Sequence, residues 1–207
     1  MPFANILERP LDWVFSAPCH VAILRALMDS KEGMSGRAVA RRAGINHQAC
    51  ARALRKLEGL GVTRRRGSGN TQLVVLNFEH ALVSGALLPL LRHERETAAR
   101  LREEIATRFG RQALSATLFG SVARGEAGFG SDVDLLLTAE PRTRETVAED
   151  ARQFASGFMR KYGFRLSPIV LTPREVRTRI KRSDPLILNI RKDGIDLLSR
   201  RLEDAVS

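Results

Sequence analysis

The chain has few cysteines, no long apolar run and too few acids to balance its bases, and each shortage narrows what it can be. Cys19 and Cys50 stand in separate apolar helical patterns without paired spacing. A disulfide framework is excluded, and two reduced, buried thiols in a cytoplasmic protein are expected. No stretch approaches the roughly 20 apolar residues of a membrane span. The start Met1-Pro2-Phe3-Ala4-Asn5 lacks the basic and apolar regions of a signal peptide. Internal repeats and low-complexity segments are absent as well. Against 23 acidic residues stand 34 basic ones, giving a net charge of +11. Such a surface points to a polyanionic partner, nucleic acid or nucleotide, and the predominance of Arg suits bidentate phosphate contacts.

With 207 residues the chain can build two small domains, each with its own core. From about 18 to 78 the pattern predicts three helices and a hairpin. Pro18 starts the first helix, whose apolar face is Val21, Ile23, Leu24, Leu27 and Met28. Ser35 caps a second helix through Ala43, and Gly44-Ile45-Asn46 connects to a third, which runs from about Asn46 to Leu60 and stops at Gly61. Ala49, Ala53, Leu54, Leu57 and Leu60 fall at core spacing there, while Gln48, Arg52, Arg55 and Lys56 face outward. Val62 to Arg66, the turn Gly67-Ser68-Gly69-Asn70 and Thr71 to Leu76 make a basic hairpin carrying Arg64, Arg65 and Arg66. A charged helix from about Gly85 to Phe109 joins the two halves. Its Leu87, Leu88, Leu91 and Leu101 can pack on either domain or on a second copy, so a homodimer is one open outcome.

The remainder alternates strand and helix. Leu114 to Phe119 reads as a buried strand ending at Gly120. Gly120 lets backbone approach a phosphate closely, Ser121 is placed to cap the next helix, and Arg124 follows one turn on, which together make a triphosphate site. The loop Gly125-Glu126-Ala127-Gly128-Phe129-Gly130 and Ser131 lead to a second strand containing Asp132 and Asp134. Residues i and i+2 of a strand share a face, so these carboxylates lie side by side, with Val133 and Leu135 on the core side. Adjacent anions are tolerated when a hard divalent cation lies between them, and Mg2+ accepts one or two carboxylates plus substrate phosphates. A helix from Glu145 to Tyr162 follows, with Val147, Ala151, Phe154, Phe158 and Met159 inward. The next strand, Phe164 to Leu171, carries Pro168, which argues for an edge position or a bulge.

Two resemblances follow from these residues. The helices and basic hairpin of the first half resemble a winged helix-turn-helix domain of bacterial transcription regulators. That resemblance implies double-stranded DNA as partner, with Asn46, Gln48, Arg52, Arg55 and Lys56 toward the major groove and Arg64, Arg65 and Arg66 along the backbone. Such domains also serve as protein contacts, and outward arginines also form plain solvated faces. Gly120-Ser121, ten intervening residues and Asp132-Val133-Asp134 resemble the signature of the polymerase-β-type nucleotidyltransferases, in their minimal branch.

The expected architecture is therefore mixed α+β and α/β. It comprises a winged helix over 1–84, a linker helix over 85–112 and a small nucleotidyltransferase-like domain with a mixed sheet over 113–207. The second resemblance implies Asp132 and Asp134 as catalytic metal ligands for Mg2+, and Gly120, Ser121, Arg124 and Ser131 as the nucleotide site. The nucleoside triphosphate is expected to be ATP, and the acceptor is a small molecule or a companion protein, as in toxin-antitoxin pairs. Members active in transfer usually add a third carboxylate from a later strand. Here that strand reads Phe164-Arg165-Leu166-Ser167-Pro168-Ile169-Val170, with Ser167 in that place; either another acid such as Glu175 substitutes, although Thr172-Pro173-Arg174-Glu175 reads as a helix start, or the partner supplies one, or the site binds nucleotide without turnover. Without that acid, a DNA-binding regulator with a nucleotide-sensing domain is the competing expectation.

Overall fold

The computed structural model describes residues 8–68 and 72–206. Gly69, Asn70 and Thr71 of the expected hairpin turn, and the first residues of the chain, lie outside the described residues. The chain divides into two compact units, Met1–Thr97 and Ala98–Ser207.

In the first unit, α1 (Pro10–Val14) precedes the elements anticipated from the pattern. Too short to show periodicity, it was not legible, yet Val14 is fully buried and its carbonyl lies 3.0 Å from the Nδ1 of buried His20. α2 (Pro18–Leu27) begins on its proline and buries Ile23, Leu24 and Leu27. α3 (Gly36–Arg42) is capped by the Ser35 hydroxyl, which accepts from Ala38 N–H at 3.3 Å. After Gly44 in the left-handed region, α4 (His47–Gly59) starts with Asn46 Oδ1 accepting from Ala49 N–H at 2.8 Å. Each such cap satisfies one of the donors that a helix start leaves without an intrahelical partner. Antiparallel β1 (Thr63–Arg66) and β2 (Leu73–Leu76) follow, pairing Thr63 with Leu76 and Arg66 with Leu73. The core gathers Ile23, Leu27, Val39, Cys50, Leu54, Leu57, Val74 and Leu76. Cys19 departs from expectation: it is only partly buried, whereas Cys50 is fully enclosed and burial raises its thiol pKa.

A π-helical turn, Val83–Leu87, leads into α5 (Leu88–Phe109). Residues 85–112, expected as a linker, belong to both units. Leu87, Leu88 and Leu91 are buried in the first core, while Leu101, Ile105 and Phe109 pack in the second. The four leucines considered for a second copy are thus occupied within the chain. Glu94 with Arg25, and Arg95 with Asp29 at 2.8 Å, tie the first turns of α5 to its own unit.

The second unit is built on a mixed sheet in the order β5-β4-β3-β6. β3 (Ser115–Phe119) runs antiparallel to β4 (Val133–Thr138) and to β6 (Ile195–Asp196). β5 (Leu166–Leu171) lies parallel to β4 at the sheet edge, which is where Pro168, lacking a donor, is tolerated. Two-residue alternation splits β4 cleanly. Val133, Leu135 and Leu137 join Phe109, Val147, Ala151 and Phe158 of α5 and α7 (Arg144–Tyr162) on one face. Leu136 joins Phe119, Leu171, Val176, Ile187, Ile190 and Leu202 on the other. That second face is covered by α8 (Pro173–Lys181), α9 (Pro185–Asp193) and α10 (Leu202–Val206). Met159, expected inward on α7, is 58% exposed. It falls one position, about 100° of helix, beyond Phe158, whose stripe continues to Tyr162 instead. Phe109, Phe154 and Phe158 meet at edge-type contacts of 5.7 Å between ring centres.

Candidate active site

Strand register brings the aspartates to the glycine turn. Phe119 and Asp134 are paired across β3 and β4, so the residue after Phe119 lies beside the Asp134 side chain. Gly120 adopts φ +72°, and a Cβ there would fall on Asp134 Oδ2, leaving room only for hydrogen. The chain bends into α6 (Gly120–Ala123) with Phe119 as its N-cap and no side-chain cap. Ser121 is therefore not the helix cap expected of it. The bend at Gly120 carries it inside the turn, half-buried, and its carbonyl accepts from Glu126 N–H at 2.9 Å.

Asp132 and Asp134 alternate with buried Val133 and share the strand face of Leu136. Burial, and next the negative charge of Asp132, raise the Asp134 pKa, while the Arg124 guanidinium pulls it partly back. Arg124 itself is exposed and donates to Glu126 at 2.7 Å. Its pKa is raised first by that hydrogen bond and then by the charges of Glu126, Asp193 and Asp134. Ser131 closes the adjoining loop: its hydroxyl accepts from Gly128 N–H at 3.0 Å, and its N–H donates to Gly128 O at 3.1 Å.

The parallel strand β5 completes the cluster. Ser167 stands in register with Asp134, and its hydroxyl donates to Asp132 Oδ2 at 3.0 Å. Arg165 Nε lies 4.0 Å from Asp132 Oδ1. Neither Arg165 nor Asp193 was assigned a role from sequence, because nothing local marks a charge that only strand pairing or α9 brings to the site. Glu175 is engaged elsewhere. It forms a capping box with Thr172, whose backbone N–H it accepts at 2.7 Å, and that bond lowers its pKa. Among the described residues no group of three or more His, Cys, Asp or Glu side chains is placed to hold a metal. The donor set is thus two carboxylates. Their hard oxygens, with one carboxyl pKa raised in part by the other's charge, fit a divalent cation whose remaining ligands come from phosphate and water.

In the first unit, Gln48, Arg52, Arg55 and Lys56 are exposed on α4, whereas Asn46 Oδ1 is engaged in capping. Arg64, Arg65 and Arg66 are exposed on β1, with Arg65 donating to Glu58 at 2.7 Å and to Gln72 at 3.2 Å. Arg64 contacts Glu79 at 3.4 Å. No described helix is long and apolar enough to cross a membrane.

Residues 98–196 match the family model described as a nucleotidyltransferase domain, a match that opens at the first residue of the second unit and ends in β6. That family generally uses a divalent metal and a nucleoside triphosphate. Over 85 residues the chain is also 40% identical to a protein of Methanocaldococcus jannaschii named "Putative protein adenylyltransferase MJ1305". The similar stretch covers 40% of this chain and spans 56% of the relative's length.

Proposed function

We propose that this chain is an Mg2+-dependent nucleotidyltransferase. It moves a nucleoside monophosphate from a nucleoside triphosphate, ATP foremost, to a hydroxyl of a protein or small molecule in the cytoplasm. The observation that carries this reading is the Asp134 carboxylate lying against the left-handed Gly120, with Asp132 on the same strand face. In this reading the amides after Gly120, the Ser121 hydroxyl and the Arg124 guanidinium hold the phosphate tail. Arg124 exchanges its Glu126 partner for phosphate, and Ser131 steadies the loop that delivers Asp132. Asp132 and Asp134 would hold Mg2+, which when bound neutralises charge on the phosphate oxygens. The acceptor hydroxyl loses its proton to solvent as its oxygen bonds to the α-phosphorus, the bond from that phosphorus to the bridging β-phosphate oxygen breaks, and pyrophosphate leaves. Positioning and fixed charge do most of this work. The relative's name favours a protein acceptor, and a companion protein is the partner to test first.

For the first unit we infer a winged helix bound to double-stranded DNA, with α4 toward the major groove through Gln48, Arg52, Arg55 and Lys56 and the Arg64–Arg66 strand along the phosphates. A second reading, a DNA-binding regulator whose nucleotidyltransferase domain senses nucleotide without turnover, is favoured by one specific observation: the position beside Asp132 holds the hydroxyl of Ser167 rather than an acid. Incubation with ATP labelled at the α-phosphate, Mg2+ and candidate acceptors separates the two. Transfer that is lost in Asp132→Ala and Asp134→Ala supports the enzyme. Transfer that persists in both variants overturns the assigned site, and nucleotide binding without transfer to any acceptor favours the sensor.

A further inference from the structure

Phe129 is the most exposed large apolar side chain described, at 112% of its reference area. It sits on the short loop joining the Gly120 bend to Asp132. Gly128, Phe129, Gly130 and Ser131 form a four-residue turn, closed by Ser131 N–H donating to Gly128 O at 3.1 Å. Gly130 has φ +83°, as the third residue of a type II turn requires, and the Ser131 hydroxyl locks the turn by accepting from Gly128 N–H. The ring is therefore held out by a doubly bonded corner that is three residues from Asp132. At its other end the loop is tied to the phosphate bend by Glu126 N–H, which donates to the Ser121 carbonyl at 2.9 Å. Gly125, Gly128 and Gly130 present no side chains, and a Cβ at any of them would meet nothing within 4 Å. Open space surrounds the loop on the sides those glycines face.

We propose that Phe129 is the stacking platform for the nucleobase, a reading that rests on the nucleotide site proposed above. Aromatic rings offer a face on which any base can stack. A single ring flanked by bare glycines suits one small planar ligand, whereas a protein partner requires a contiguous patch of hundreds of square ångströms. With the triphosphate gripped at one end of this short loop, the base it carries is the planar group that the proposal brings to the ring at the other. Stacking does not read hydrogen-bond patterns, so Phe129 contributes affinity and orientation to all nucleoside triphosphates rather than choosing among them.

The test compares ATP with inorganic tripolyphosphate, which shares the phosphates and lacks the base, by calorimetry with Mg2+ on the full chain. Phe129→Ala should weaken ATP about tenfold, within the range of one base-aromatic stack. It should leave tripolyphosphate unchanged, and Phe129→Trp should retain ATP affinity. In the tryptophan variant, made in a Trp13→Phe background, fluorescence should be quenched by ATP and not by tripolyphosphate. Equal weakening of both ligands would mean that the residue acts through the loop's shape, and would overturn the proposal. So would unchanged ATP affinity with reduced label transfer, which would assign the ring to the acceptor. If the wild-type chain binds neither ligand, the nucleotide site itself has failed. ATP binding that is indifferent to Phe129→Ala overturns the stacking role alone.

Discussion

Replacing Gly120 by alanine isolates the contact that assembles the site. A left-handed conformation costs an ordinary L-residue about 1–2 kcal/mol. The new methyl would also fall on Asp134 Oδ2. Forcing the carboxylate aside adds overpacking of about 1–3 kcal/mol. Gly125 supplies the control: its φ is +70°, yet nothing lies within 4 Å of the added atom. Gly120→Ala should therefore lose about 2–5 kcal/mol, and Gly125→Ala about 1–2 kcal/mol. Urea denaturation of the full chain, read through amide exchange of β3 and β4, measures both losses in the same unit. The Asp134 Cβ is 3.5 Å from the added methyl, an ordinary contact. Removing only the carboxylate, in Asp134→Ala, should thus reduce the cost of Gly120→Ala by about 1–3 kcal/mol. Equal losses at the two glycines, or additive effects in the double variant, would refute the packing of Asp134 against the bend.

Three further outcomes are expected. Because the folded-state pKa of Asp134 is raised, its contribution to stability is fullest below the unfolded value near 3.8 and is lost as pH rises through the folded one. Asp134→Asn should therefore melt higher than wild type at pH 7 without Mg2+, and its advantage should shrink as pH falls toward 3.8; a constant difference across that range would contradict the cause assigned to the shift. Ser167→Asp would add a third carboxylate beside Asp132, so it should lower the melting temperature without cation and show a larger Mg2+-induced rise than wild type. An Mg2+ response no greater than that of wild type would remove β5 from the site. Replacing Arg64, Arg65 and Arg66 by Ala should reduce the slope of log affinity for duplex DNA against log salt by about 2–3, from about 0.9 per neutralised phosphate. An unchanged slope would take β1 off the backbone.

Local chemistry was legible wherever one segment carried the whole signal. Ser35 and the Thr172 to Glu175 box mark helix starts through side-chain oxygens three residues from the amides they satisfy. Gly163 ends α7 in the left-handed region, and Pro168 forecast the edge position of β5. Met159 was misjudged because adjacent apolar residues on a helix cannot both head the buried stripe, and only the contacts of Phe158 decide which does. Ser121 was misjudged because the bend at Gly120 needs a left-handed residue before the helix, which displaces the serine into the turn.

Spacing alone was enough to put the two aspartates on one face of a strand and a glycine at a bend twelve residues before the first of them, since both are consequences of backbone period and of missing side-chain bulk. Which groups those carboxylates meet depended on pairing between distant segments. Antiparallel register set Asp134 against Gly120, and the parallel edge strand brought Ser167 to Asp132. Periodicity is encoded residue by residue, whereas register is chosen by the burial of two opposite faces at once, and no single segment contains both.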